Sequence, residues 1–137
     1  MPPIMVGKAG EQYLLRVVAE HADWWNYVYN SLEEYRQKQV VLKRHCQAVE
    51  RDYDTIVQVM HVGVLVAENE REVQRLRESP DVRPLENGVI GTPDQVVTTL
   101  RAIVGQGAGR LTVHIADAPR PDGTLLFGAK VIPQLGA

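Results

Sequence analysis

Pro3-Ile4-Met5-Val6-Gly7-Lys8-Ala9-Gly10-Glu11 sets an apolar, strand-like run against a glycine turn and the opening of a helical pattern. Strand, glycine turn and helix in that order make a setting that suits a phosphate. The two glycines are free to take positive φ and to let backbone N–H groups approach a ligand, while the first turn of the helix adds unbonded donors and the positive end of its dipole. Gly7, Lys8, Ala9 and Gly10 are therefore a candidate phosphate loop. The alternative is steric, since Gly-x-x-Gly turns join strands to helices in many folds.

Working outward, Leu14, Val18, His21, Ala22 and Trp25 recur at helical spacing and predict a helix over 11–23. Ser31 with Glu34 three residues on forms a capping box for a second helix over 32–50, with Leu42, Cys46 and Val49 on its buried face. Residues 55–67 hold Ile56, Val57, Val59, Met60, Val62, Val64, Leu65 and Val66, a β-branched run expected of a strand buried on both faces. A helix over 68–78 ends at Ser79-Pro80, and 81–91 reads as loop. Thr92-Pro93-Asp94-Gln95 supplies an N-cap, a proline at the first helical position and a capping-box glutamine. Val96, Leu100, Ile103 and Val104 form the buried stripe of that helix, and Gly105 and Gly107 end it before a strand over 111–116 and a last helix over 124–134. The sum is an α/β chain with three parallel strands and right-handed crossovers.

At 137 residues the chain falls in the range of one ordinary domain, 1–137. A net charge of −2, with no basic stripe interleaved with aromatics, disfavours nucleic acid. The lone Cys46 lies in a helical pattern and reads as a free buried thiol, which fits a reducing compartment. No apolar run approaches the ~20 residues of a membrane span, and Met1-Pro2-Pro3 does not open a secretory leader. The expected setting is the cytoplasm, away from membranes.

Other chemistry-bearing residues read more plainly. Gly105-Gln106-Gly107-Ala108-Gly109 follows a helix and precedes a strand, the reverse of a dinucleotide fingerprint, and reads as a helix cap and turn. His21, His45, His61 and His114 have no ligand spacing, and with one cysteine no zinc pattern can be assembled. His61 reads as a core imidazole bonded to a neighbour. His114, near the C-terminal end of the last strand, is read first as a satisfied core residue and second as a ligand-site residue. Trp24 and Trp25, placed at a helix end, point about 100° apart, so one packs and one lies at a surface, with stacking on a ring cofactor as the other reading. No carboxylate pair and no nucleophile elbow assigns a catalytic residue.

In order, these segments resemble the luciferase-like monooxygenase family. Residues 3–11 resemble its Pro-Ile-x-Ile-Gly-Gly-x-Gly-Glu segment, and Ala19-Glu20-His21-Ala22-Asp23-Trp24-Trp25-Asn26 its Ala-x-x-Ala-Asp-Gly-Trp-Asn segment. Glu34-Tyr35-Arg36 and Leu42-Lys43-Arg44-His45-Cys46 are similar to its next helix, and Gly91-Thr92-Pro93-Asp94-Gln95-Val96 to its Gly-Thr-Pro-Glu-Glu-Val helix start. Leu111-Thr112-Val113-His114-Ile115 resembles its last barrel strand, and Val131-Ile132-Pro133-Gln134-Leu135 its closing helix. The resemblance implies the C-terminal part of a (β/α)8 barrel, a partial TIM barrel with the sixth, seventh and eighth strands, and the usual N-terminal half missing. It also implies FMN or coenzyme F420 as cofactor, oxidoreductase or monooxygenase chemistry, and a phosphate beside Gly7, Lys8, Ala9 and Gly10. Lys8 and Trp24 stand where the family commonly has glycine. Three parallel strands cannot close a barrel, so an N-terminal half-barrel chain or a homo-oligomer is expected to cover the open edges. The other functional reading is a non-catalytic partner subunit or remnant scaffold without a cofactor.

Overall fold

The computed structural model describes residues 1–136. Its elements run β1 (Met5–Gly7), α1 (Leu14–His21), β2 (Trp24–Val28), α2 (Leu32–Ala48), β3 (Val57–Val66), α3 (Glu70–Glu78), β4 (Val89–Gly91), α4 (Pro93–Gly105), β5 (Arg110–Ile115), α5 (Pro121–Leu126) and α6 (Ile132–Leu135). A single π-helical stretch, Phe127–Val131, joins the last two helices. The five strands share one sheet in which β1, β2, β3 and β4 follow in order and β5 pairs with β3. This is the expected α/β class with a parallel sheet, built on five strands among the described residues where the sequence patterns predict three.

The chain divides into two compact units, and β3 and β5 run from one into the other. The first comprises Met1–His61 and Gln106–Thr112. Here β1 pairs with β2 from Met5↔Trp24 to Gly7↔Asn26, and β2 with β3 from Trp24↔Val57 to Val28↔His61, all parallel. The Gly109 N–H donates to the Gln58 carbonyl at 2.9 Å, which brings β5 alongside β3. Helices α1 and α2 bury Leu15, Val18, Ala19, Leu42 and Cys46, while Trp25 and Tyr27 of β2 meet Tyr35 of α2. Cys46 is a free buried thiol, as expected.

The N-terminal end of β3 in this unit is held by polar contacts. Gln58 accepts from the Tyr35 hydroxyl and from Gln39 Nε2 (2.8 Å), and donates to the Tyr53 hydroxyl (2.7 Å). Gln39 and Gln106 exchange two bonds of 2.9 and 2.7 Å. Gly107 turns beside them at φ +123°, a conformation open to glycine.

The second unit comprises Val62–Gly105 and the residues from Val113 onward. Its core gathers Leu65, Ala67, Val73, Leu76, Val82 and Ala116, with Leu85 and Ile90 packed against them. The Ala116 N–H donates to the Val64 carbonyl at 2.9 Å, so β5 advances with β3 in the parallel sense. Strand β4 pairs with the last three residues of β3, Val64 to Val66. Asn69 caps α3 by accepting the Glu72 N–H (2.9 Å), and Gln95 closes the expected box on α4 by accepting the Thr92 N–H (2.9 Å).

Three expectations are corrected. The helix predicted over 11–23 occupies Leu14–His21, and the residues after it form β2. Asp23 ends the helical run by accepting the Ile4 N–H at 2.8 Å, which draws Trp24 into register with Met5. The segment read as loop over 81–91 ends in β4, three residues too few to show a period. The last helix begins at Pro121, where proline suits the first helical position.

Candidate functional site

The candidate loop leaves the C-terminal end of β1, the end at which parallel α/β sheets place ligands. Its geometry differs from the expectation in one respect. The left-handed turn falls on Lys8, at φ 78°, and not on Gly7 or Gly10. A Cβ at Gly7 would sit 3.7 Å from Asn26 Nδ2, and one at Gly10 would sit 3.5 Å from Leu14 Cβ. Both are ordinary contacts, so neither glycine is demanded by close approach.

The turn is fixed from below by β2. The Lys8 N–H donates to the Asn26 carbonyl at 3.1 Å, and the Lys8 carbonyl accepts from Trp25 Nε1 at 2.8 Å. Both backbone groups of Lys8 are thus engaged within the protein, and what it offers outward is its exposed ammonium. Gly10 is tied into α1 by accepting the Leu15 N–H at 2.9 Å. The adjoining Glu11 is held from α2, its carbonyl 2.7 Å from His45 Nε2 and its carboxylate 3.4 Å from Lys38 Nζ.

Trp25 and Asn26 were the residues the motifs did not assign to this site. Trp25 is wholly buried and orients the loop, while Trp24 on the opposite face of β2 lies 4.8 Å from the Arg110 guanidinium. Trp25 packs, as expected of one of the pair, while Trp24 is half-buried where a surface position was expected of the other. Because they lie on a strand, however, they point to opposite faces instead of 100° apart. Asn26 stands level with Gly7 in the β1–β2 register, on Trp24's face of the sheet. The alternation of Trp24, Trp25, Asn26 and Tyr27 was the available signal for a strand.

The histidines separate. His61 is half-buried, and its Nδ1 lies 3.0 Å from Thr112 Oγ1, so it has the expected partner without being a core residue. His114 is exposed on β5, which overturns the satisfied-core reading; residues of β5 alternate between exposed and half-buried, and His114 falls on the exposed face. Among the described residues no three His, Cys, Asp or Glu side chains are placed to hold a metal ion.

A cleft of about 410 Å³ in the second unit is lined by Glu68, Asn69, Glu70, Thr92, Pro93, Asp94 and Lys130. Its ammonium is held by Glu68 at 3.0 Å, leaving two further carboxylates to repel an anion. The phosphate candidate therefore remains the loop at β1.

No family profile and no characterised protein sequence matches the chain. Solved structures do. An F420-dependent tetrahydromethanopterin reductase from Methanopyrus kandleri superposes with a TM-score of 0.72 at 16% identity, over 97% of this chain and 51% of that one. A riboflavin lyase solved with modified FMN and riboflavin gives 0.77 at 12% identity, over 99% and 43%. An EDTA monooxygenase from Chelativorans sp. BNC1 gives 0.75 at 15%, over 98% and 44%. The chain shares the fold of these enzymes. The chain spans about half, or somewhat less, of the length of these structures. Its sheet thus corresponds to part of a TIM-type barrel, as the resemblance implies. No helix among the described residues is long and apolar enough to cross a membrane.

Proposed function

We propose that this chain forms part of a flavin- or deazaflavin-dependent oxidoreductase or monooxygenase, and that Gly7, Lys8, Ala9 and Gly10 receive the phosphate of FMN or F420. The observation that carries this reading is the Lys8 turn. Its backbone is pinned by Trp25 and Asn26 while its ammonium stands free at the C-terminal end of a parallel strand. A fixed backbone presenting a mobile cation suits a phosphate, which accepts charge-assisted hydrogen bonds from several directions. The bound coenzyme would supply the hydride or oxygen chemistry, and the protein would supply binding and orientation. Asn26, level with Gly7, adds a neutral amide beside the same loop. The remaining walls would come from outside this sheet, from a half-barrel partner or from self-association. The cytoplasm is the inferred setting, in keeping with the free buried thiol of Cys46.

The test compares FMN with riboflavin, and F420 with its phosphate-free deazaflavin, by fluorescence titration of the chain and of Lys8→Glu. FMN or F420 should bind more tightly than its phosphate-free form, and Lys8→Glu should weaken only the phosphorylated ligand, by about tenfold or more. Equal binding of both forms, or none of either, would leave the scaffold reading in its place.

A further inference from the structure

At the N-terminal end of β3, a cleft of about 300 Å³ in the first unit is lined by Lys43, Tyr53, Asp54 and the glutamines Gln39, Gln58 and Gln106. Gln39 is 4% and Gln58 7% exposed, so their amides are oriented by protein and not by bulk water. The Gln106 carbonyl fixes how all three are turned. A carbonyl only accepts, so the Gln39 nitrogen faces it and gives its other proton to Gln58 Oε1. Gln58 Oε1 also accepts from Tyr35 and is then filled, which leaves Gln58 Nε2 to donate to the Tyr53 hydroxyl. Gln39 Oε1 in turn accepts from Gln106 Nε2 at 2.7 Å. Gln58 Nε2 and Gln106 Nε2 each keep one unused N–H, and the Tyr53 hydroxyl keeps a proton that burial makes harder to lose.

Two opposite charges stand at the same cleft. The Lys43 ammonium lies 4.9 Å from the centre of the Tyr53 ring, Asp54 is the next residue along, and neither makes an ion pair among the described residues. Water would meet the amide donors, but it answers neither charge with its opposite. We propose that this cleft binds a free amino acid, its carboxylate on Lys43 and the Tyr53 hydroxyl and its ammonium on Asp54. A zwitterion matches a lining that carries one charge of each sign, through charge-assisted hydrogen bonds at both ends. The volume stands at the small end of the range for small-molecule sites, which suits a metabolite of this size and not a dinucleotide. The unused Gln106 N–H lies beside the half-used Gln39 Oε1, a donor and an acceptor that complement a carboxamide. Glutamine and asparagine are therefore the favoured side chains. The cleft lies at the opposite end of the parallel strands from the loop at residues 7–10, so it stands or falls apart from the phosphate reading.

Isothermal titration calorimetry of the chain with L-glutamine tests this, alongside glutaramate, which lacks the amino group, and 4-aminobutanamide, which lacks the carboxylate. Lys43 and Asp54 are exposed, so Lys43→Gln and Asp54→Asn keep the fold, as circular dichroism checks. L-Glutamine should bind, and each analogue should bind about tenfold or more weakly. Lys43→Gln should weaken glutamine by a similar factor and leave 4-aminobutanamide unchanged, while Asp54→Asn should weaken glutamine and leave glutaramate unchanged. Arg44→Gln, which removes an exposed cation of α2 outside the cleft, should change nothing. The side-chain amide proton signals of Gln58 and Gln106 should shift in nuclear magnetic resonance spectra as glutamine is added. No binding of L-glutamine or L-asparagine at about 10 mM would overturn the proposal. Analogues that bind as well as glutamine, a loss in Arg44→Gln equal to that in Lys43→Gln, or glutamine amide signals that stay in place would overturn it too.

Discussion

Lys8 holds the left-handed conformation at φ 78°, where a side chain costs about 1–2 kcal/mol that glycine avoids. Lys8→Gly should therefore raise the free energy of unfolding by about 1 kcal/mol in urea titrations, while removing the ammonium proposed to meet a phosphate. On the proposed reading, stability and ligand affinity would move in opposite directions. Two stacked tyrosines of the first unit make a second contrast, their ring centroids 5.4 Å apart. The Tyr27 hydroxyl is buried with no hydrogen-bond partner, whereas that of Tyr35 donates to Gln58. Tyr27→Phe removes an orphaned group and should be neutral or stabilising by up to about 1 kcal/mol. Tyr35→Phe leaves Gln58 short of a donor in a buried network and should cost about 1–2 kcal/mol. Chemical denaturation of the two variants side by side checks both signs.

Among the elements, the starts of α2 and α4 were the most legible features, because each is set by a side chain that accepts from its own backbone. The Ser31 hydroxyl accepts the Glu34 N–H at 3.1 Å as its spacing predicts, and Ser31→Ala should cost about 1 kcal/mol, measured as a shift in denaturation midpoint. The long β3 was legible for a different reason, since ten consecutive residues, mostly apolar and half of them valine, need no period to be recognised. Strand β2 was hidden by coincidence. Trp25 continues the helical spacing of Leu14 and Val18, and the helix ends through long-range contacts: the Asp23 carboxylate accepts the Ile4 N–H, and the Asp23 and Trp24 N–H groups donate to the Ile4 carbonyl. The loop at residues 7–10 was legible in position but not in conformation. Its left-handed residue is selected by Trp25 from a neighbouring strand, which no local pattern encodes.

At the scale of the whole molecule, burial of several weak acids gives stability an alkaline limit. Burial pushes Tyr27 and Tyr35 well above their ordinary 10.0, for Tyr27 with the Glu34 carboxylate acting in the same direction, and it also raises Tyr53 and the Cys46 thiol. In each case the folded state keeps a proton that the unfolded chain gives up. The unfolded state therefore binds fewer protons at high pH, and stability falls as pH rises. Unfolding free energy should be insensitive to these groups below about pH 9. It should decline first from the thiol and then, above pH 10, by about 1.4 kcal/mol per pH unit for each tyrosine still protonated in the fold. Urea melts between pH 8 and 11 measure this, and Tyr27→Phe should flatten the decline. The bond from the Trp25 indole to the Lys8 carbonyl reaches beyond mechanics. It makes the loop at residues 7–10 optically addressable, because the emission of a dry, hydrogen-bonded indole changes colour when its partner moves. With Trp24 replaced by phenylalanine, the chain would signal in its own light whenever that loop shifts.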